Sequence, residues 1–83
     1  MKQVTYTKAA RKVLFSLPRP TQQRIRDKVE QYAADPSSLA NNVKALKGSK
    51  YLRLRIGDWR VIMDDQGLVV EVVEVGPRGS IYD

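Results

Sequence analysis

Eighty-three residues with fifteen Lys plus Arg, nine Asp plus Glu, and neither His nor Cys make a chain of net charge +6. Without thiol or imidazole, zinc, haem and iron-sulfur ligation, Cys or Ser-His nucleophiles and His acid-base pairs all lose a necessary group, so any chemistry falls to Arg, Lys, Tyr, Asp, Glu or Ser. A single domain over residues 1–83 is too small for a deep cofactor cavity, and its surplus of positive charge points to a polyanionic partner, nucleic acid first.

Apolar residues form 42% of the chain, enough for a packed core, and they never run to the roughly 18 residues of a membrane span or to a signal-peptide stretch. With no disulfide to staple so small a domain, the expected setting is a reducing one: a soluble cytoplasmic protein with no membrane partner.

Lys2-Gln3-Val4-Thr5-Tyr6 alternates polar and β-favouring residues and reads as a first strand. Thr7 offers a helix N-cap, and Ala9, Ala10, Val13, Leu14 and Leu17 then recur at helical spacing until Pro18 forbids continuation. After the stiff corner Leu17 to Thr21, a second stripe of Gln22, Ile25, Val29, Tyr32 and Ala33 ends before Asp35-Pro36. Residues 36–48 read as an ordered loop anchored by Val43 and Leu46. Three strand-like runs complete the chain, Tyr51 to Ile56, Trp59 to Asp64 and Leu68 to Val75, separated by Gly57-Asp58 and by a turn around Asp65-Gln66-Gly67. The expected fold is α+β, a two-helix hairpin on one face of a small antiparallel sheet in the order β-α-α-β-β-β.

A two-residue turn at Gly57-Asp58 sets Ile56 against Trp59, Arg55 against Arg60, Leu54 against Val61 and Leu52 against Met63. One face is then wholly apolar and suits the underside of the helices, Trp59 included, while Arg53, Arg55, Arg60 and Ile62 occupy the other. Like charges placed directly opposite destabilise a sheet, so the pairing of Arg55 with Arg60 breaks a packing rule in the way functional sites do. The returning strand brings Gly76-Pro77-Arg78-Gly79 to the same end, which delivers Arg78 and Tyr82 to the arginines. Asp64, Asp65, Glu71 and Glu74 are the carboxylates a two-metal nuclease would need. Asp64 and Asp65 stand at a turn, where Asp is common for backbone reasons, so no metal is expected.

Tyr51-Leu-Arg-Leu-Arg-Ile-Gly-Asp-Trp-Arg-Val resembles the signature of the RelE/ParE superfamily of toxins from bacterial toxin-antitoxin operons. The likeness continues in Tyr6-Thr7-Lys8-Ala9-Ala10, the Leu17-Pro18 corner, Asn42 to Gly48 and Val75 to Tyr82. The resemblance implies a RelE-like, microbial-ribonuclease-type fold. It also implies a metal-independent, cofactor-free endoribonuclease that cleaves messenger RNA on the ribosome and is held inactive by a cognate antitoxin, with operator DNA reached only through the toxin-antitoxin complex. Carried over by position, the family's basic pair falls on Arg53 and Arg55, its hairpin arginine on Arg60, its C-terminal arginine on Arg78 and its catalytic tyrosine on Tyr82. Arginines stand where the ribosome-dependent prototype has lysines, and Pro77 occupies a slot that is often His or Lys. ParE-type members, which poison gyrase, share the fold and keep a second reading open; a basic domain that binds RNA without cleaving it is a third.

Within this frame Lys44, Lys47, Lys50 and Tyr51 are candidate RNA contacts beside the basic strand. Phe15, opposite the apolar stripe of the first helix, is a candidate antitoxin contact. Metal-free cleavage requires the 2′-hydroxyl to attack the adjacent phosphorus while positive charge surrounds the phosphorane. Arginine suits the second task, with a fork that grips phosphate oxygens, but is a poor proton shuttle, so much of the rate must come from positioning.

Overall fold

The computed structural model describes residues 1–79. The chain runs through β1 (Gln3–Tyr6), α1 (Lys8–Ser16), α2 (Arg19–Ala34), a 3₁₀ segment (Pro36–Asn42), β2 (Val43–Ala45), β3 (Leu52–Ile56), β4 (Trp59–Asp65) and β5 (Val69–Pro77). The α+β class holds, and the fold is that of the two-helix hairpin on a sheet.

Thr7 starts α1 as its spacing requires. Its hydroxyl accepts the Ala10 N–H at 3.1 Å, satisfying one free donor of the first turn, and donates to the Val73 carbonyl at 3.1 Å, pinning the helix to β5. Pro18 stops α1, but α2 begins at Arg19 rather than after the corner, because Pro20 falls in the first turn, where its missing N–H costs nothing. The Gln22 side chain closes the joint by donating to the Leu17 carbonyl at 2.7 Å. Ala10 and Leu14 of α1 and Ile25, Val29, Tyr32 and Ala33 of α2 are buried, and α1 packs on β5 while α2 packs on β1 and β3.

The sheet differs from the expected one in two ways. It has five strands in the order β1-β5-β4-β3-β2, and β1 pairs with β5 in parallel, Gln3 beside Val69 and Tyr6 beside Val72. The segment read as a loop contributes β2, which pairs antiparallel with β3 through Val43 with Leu54, Lys44 with Arg53 and Ala45 with Leu52. Leu39 in the 3₁₀ segment is the buried anchor there, while Val43 and Leu46 are half-buried. The β3–β4 register is the one the Gly57-Asp58 turn dictates, from Leu52 with Met63 to Ile56 with Trp59.

The helix-facing side of the sheet carries Leu54, Ile56, Val61, Met63, Val70, Val72 and Val75, each 3% exposed or less, with Leu52 and Trp59 half-buried at its margin. Each fully buried aliphatic side chain contributes about 1.5–3 kcal/mol, so this layer dominates the stability of the domain. A bulge between Ile62 and Met63 moves β5 by one residue, which keeps Val72 and Val75 both on the apolar side. No helix among the described residues is long and apolar enough to cross a membrane.

Candidate nucleic-acid interface

Because side chains alternate along strands, the side of the sheet away from the helices is assembled in rows that cross it. One row runs Lys44, Arg53, Ile62, Glu74 and a second runs Arg55, Arg60, Gly76. Arg55 and Arg60 are direct cross-strand neighbours, as the turn predicts, and the glycine beside Arg60 puts no side chain between it and β5. At the other end of the same face Asp64 lies opposite Glu71, which therefore neutralises none of the arginines. The face is thus cationic on β2, β3 and β4 near the β3–β4 turn, with Glu74 at the β5 end of the Arg53 row, and acidic at the end remote from the turn, at Asp64 and Glu71.

Exposure within the cationic half is uneven. Arg55 is exposed and Arg53 half-buried, but Arg60, expected on an open surface, is only 7% exposed. Its Nη1 folds back and donates to the Gly57 and Trp59 carbonyls at 2.9 and 3.0 Å, so the guanidinium also braces the hairpin turn. Parity assigned it the correct face; the nearby turn carbonyls then drew its charged donors inward. Arg78 is exposed, and its backbone N–H donates to the Asp58 carbonyl at 2.8 Å, which fastens the end of β5 to the same turn. Tyr82, the other residue assigned to this site, lies outside the described residues.

A further guanidinium reaches the turn from the helical layer. Gly57 has φ +57°, a left-handed backbone that calls for glycine, and a Cβ there would sit 2.7 Å from Arg24 Nη2, the movable end of a long side chain. Arg24 is not part of the apolar stripe of α2, and its spacing gives no sign of this contact.

The lysines divide. Lys44 is exposed and joins the cluster across from Arg53. Lys50 instead pairs with Asp64 at 3.4 Å and lies over the Tyr51 ring at 5.7 Å, at the acidic end, while Lys47 stands exposed in the β2–β3 turn. Beside the arginines a hollow of about 280 Å³ is lined by Asn41, Asn42, Val43, Lys44, Arg53 and Arg55. Its asparagines escaped the sequence reading because their place depends on β2, which is three residues long.

Two of the four carboxylates weighed as metal ligands, Asp64 and Asp65, hold other partners. Asp64 accepts from Gln66 Nε2 at 2.9 Å. Asp65 points to the helical side, where it accepts the Tyr32 hydroxyl at 2.7 Å and the Gly67 N–H at 3.0 Å and pairs with Lys2 at 3.2 Å. Burial opposes the charge of Asp65, but these donors outweigh it and hold the carboxyl below its usual value. Burial, then the hydrogen bond to Asp65 and its charge, push the Tyr32 phenol up to about 12.

Phe15 stands apart from the arginines, on α1 and 60% exposed. It borders a cleft of about 370 Å³ formed with Val4, Thr5, Tyr6, Arg11, Leu14 and Arg26. The Tyr6 hydroxyl in this cleft is buried and has no hydrogen-bond partner among the described residues. Burial, and then the charge of Glu30, raise its pKa, with Arg26 opposing them.

The arrangement as a whole can grip a phosphate chain, with fixed positive charge along two adjacent strands and a rim of exposed cations. Comparison with known proteins gives it a family. The model of the ParE toxin of type II toxin-antitoxin system, parDE, matches residues 4–82. Solved structures with the same fold include a chain of the archaeal RelE-RelB complex from Pyrococcus horikoshii OT3, at 27% identity and TM-score 0.77 over 95% of this chain and 97% of that one. Another belongs to the RelB-RelE antitoxin-toxin complex from Methanococcus jannaschii, at 26% identity and TM-score 0.74 over 95% of each chain. The intact E. coli RelBE toxin-antitoxin complex shares the fold at 20% identity and TM-score 0.73, over 93% of this chain and 96% of that one. No protein with a curated description matches. On the match across residues 4–82 and the RelE-like architecture, the chain belongs to the ParE toxin family of type II toxin-antitoxin systems, within the RelE/ParE superfamily.

Proposed function

We propose that this toxin is a metal-independent endoribonuclease that cleaves messenger RNA on the ribosome. The observation that carries the reading is the pairing of Arg55 with Arg60 across two strands, with Lys44 and Arg53 in the next row, where Glu74 stands at the β5 end, and with Asp64 and Glu71 at the far end of the face. Such a pairing is costly for a sheet alone and is relieved when an anion bridges it.

In the reaction the 2′-oxygen forms a bond to the adjacent phosphorus as the bond to the 5′-oxygen breaks. The hydroxyl proton leaves and the departing oxygen gains one, giving a cyclic phosphate and a free 5′-hydroxyl. Exposed Arg55 supplies the fork to the scissile phosphate, and Arg60, fixed against the turn, adds charge beneath it. Arg53 holds the neighbouring backbone or helps remove the proton, Arg78 serves the leaving-group side, and Tyr82 orients or deprotonates the 2′-hydroxyl. Lys44 extends the RNA path beside the arginines, and Lys47, Lys50 and Tyr51 meet RNA further along, where Lys50 exchanges Asp64 for a phosphate.

The antitoxin partner docks at the cleft around Phe15, where an exposed aromatic ring shares the lining with Arg11 and Arg26 and suits an apolar segment with acidic flanks. The match to the ParE model favours a second reading, a gyrase inhibitor on the same scaffold. Single-turnover cleavage on programmed ribosomes, with gyrase supercoiling measured in parallel, separates the two. Tyr82→Phe lowers cleavage roughly 10²-fold if the phenol moves or orients a proton; wild-type rates for this variant remove Tyr82 from the mechanism, and supercoiling inhibition without cleavage replaces the nuclease reading.

A further inference from the structure

We propose that the hollow beside the arginines is a nucleobase subsite, in which Asn41 and Asn42 read the edge of the base next to the phosphate held by Arg55. The inference rests on the ribonuclease reading and adds to it a determinant of codon preference. Its geometry follows from the hollow's lining. Asn41 and Asn42 end the 3₁₀ segment immediately before β2, and the hollow they line is shared with Lys44, Arg53 and Arg55. Arg55 in turn is the cross-strand partner of Arg60, so the two amides stand beside the proposed phosphate position and not on it.

The lining has the chemistry of a base reader. Lys44, Arg53 and Arg55 present cationic side chains that only donate hydrogen bonds, and Val43 offers an apolar wall. Of the side chains around the hollow, only the two amides can both donate and accept, as every nucleobase edge requires. Neither takes part in a side-chain hydrogen bond among those of the described residues, although Asn42 is half-buried. At about 280 Å³ the hollow falls just below the roughly 300–1,000 Å³ of sites for drug-sized ligands, a scale that suits one base.

The test combines cleavage and binding in the full chain. Wild type and the double variant Asn41→Ala/Asn42→Ala are compared on ribosomes carrying A-site codons that differ at one position at a time. A well-placed amide pair discriminates between bases by roughly tenfold or more. The wild type is expected to prefer some codons by that factor, and the variant to cut all codons at rates within about twofold of one another. An unchanged codon ranking in a cleaving variant overturns the subsite and leaves the nuclease intact. If the wild type cuts no codon, the nuclease reading falls, and the subsite is judged by titrating it with the RNA trinucleotides AAA, GGG, CCC and UUU. Shifts of the Asn41 and Asn42 side-chain amide resonances that differ between trinucleotides uphold it, and unmoved resonances overturn it.

Discussion

Replacing Arg55 by glutamine should make the domain more stable while removing its activity. Arg55 is exposed and directly opposite Arg60, with Arg53 and Lys44 in the adjoining row. Two unit charges about 6 Å apart repel by ~0.7 kcal/mol in water and ~3 kcal/mol at the effective dielectric of a protein surface. Exposure of Arg55 favours the lower end, in keeping with the ~0.2–1 kcal/mol range for cross-strand pairs. Taking about 0.5–1 kcal/mol and about 4–8 °C per kcal/mol for a domain of this size, the midpoint should rise by about 2–8 °C at low salt. In 1 M salt, where the Debye length is about 3 Å, most of the gain should vanish. Thermal melts at 10 mM and 1 M NaCl measure it, with Arg11→Gln on α1 as a control for charge removal elsewhere. An unchanged or lower midpoint, or a gain indifferent to salt, would show that the two arginines do not oppose each other and would remove the reason for treating them as a phosphate site.

Arg60→Ala should behave in the opposite sense, lowering stability by about 3 kcal/mol or more through loss of its hydrogen bonds to the Gly57 and Trp59 carbonyls, as read from urea midpoints; a silent change would mean that the turn does not depend on this brace. Tyr32→Phe should cost about 1.5–3 kcal/mol, since the hydroxyl lost is a donor to a carboxylate. The same pair sets a pH profile. Asp65, with its folded pKa lowered, stabilises above pH 3.8 and loses that contribution as pH falls through its folded value, whereas Tyr32, raised to about 12, stabilises below pH 10 and loses its share as pH climbs toward 12. Unfolding titrations across pH should show the alkaline limb shrink in Tyr32→Phe to the share of Tyr6, whose pKa is also raised, and an unchanged limb would take Tyr32 out of it. Phe15→Asp should weaken antitoxin binding at least tenfold by calorimetry and leave cleavage on programmed ribosomes unaltered; equal affinity would move the docking surface elsewhere.

What could be read from the sequence was local. Gly57-Asp58 specifies a two-residue turn, and a two-residue turn specifies every pair between β3 and β4, so the opposition of Arg55 and Arg60 was legible before any coordinates. Thr7 and Pro18 bound α1 for equally local reasons. The parallel pairing of β1 with β5 has no such signal, because it depends on how the helical hairpin returns the chain and not on any residue in either strand. β2 was hidden by its length, three residues between asparagines and a Lys-Gly turn, too short to show alternation, and with it went the place of Asn41 and Asn42. Burial of Arg60 was beyond parity, which assigns a side chain to a face but says nothing of carbonyls within reach of a long guanidinium. The roles given to Tyr82 rest on the family likeness, since that residue lies outside the described part of the chain.

The position of β1 has a consequence for the order in which the domain comes into being. β1, the first strand of the domain to be made, occupies an edge of the sheet among the described residues, and its neighbour there is β5, with Gln3 beside Val69, 66 residues later. At about 5–20 residues per second, roughly 3–13 s of synthesis pass before the second strand of that pair exists. In the interval the helical hairpin can form but has half a sheet to cover, since β5 pairs with both β1 and β4 and carries the valines beneath α1. The Lys2-Asp65 bridge and the Thr7-Val73 hydrogen bond close only then as well. The nascent domain thus cannot join β1 to the rest of its sheet until β5 has been made, and the basic face gains its Arg78 link to the Asp58 turn only then.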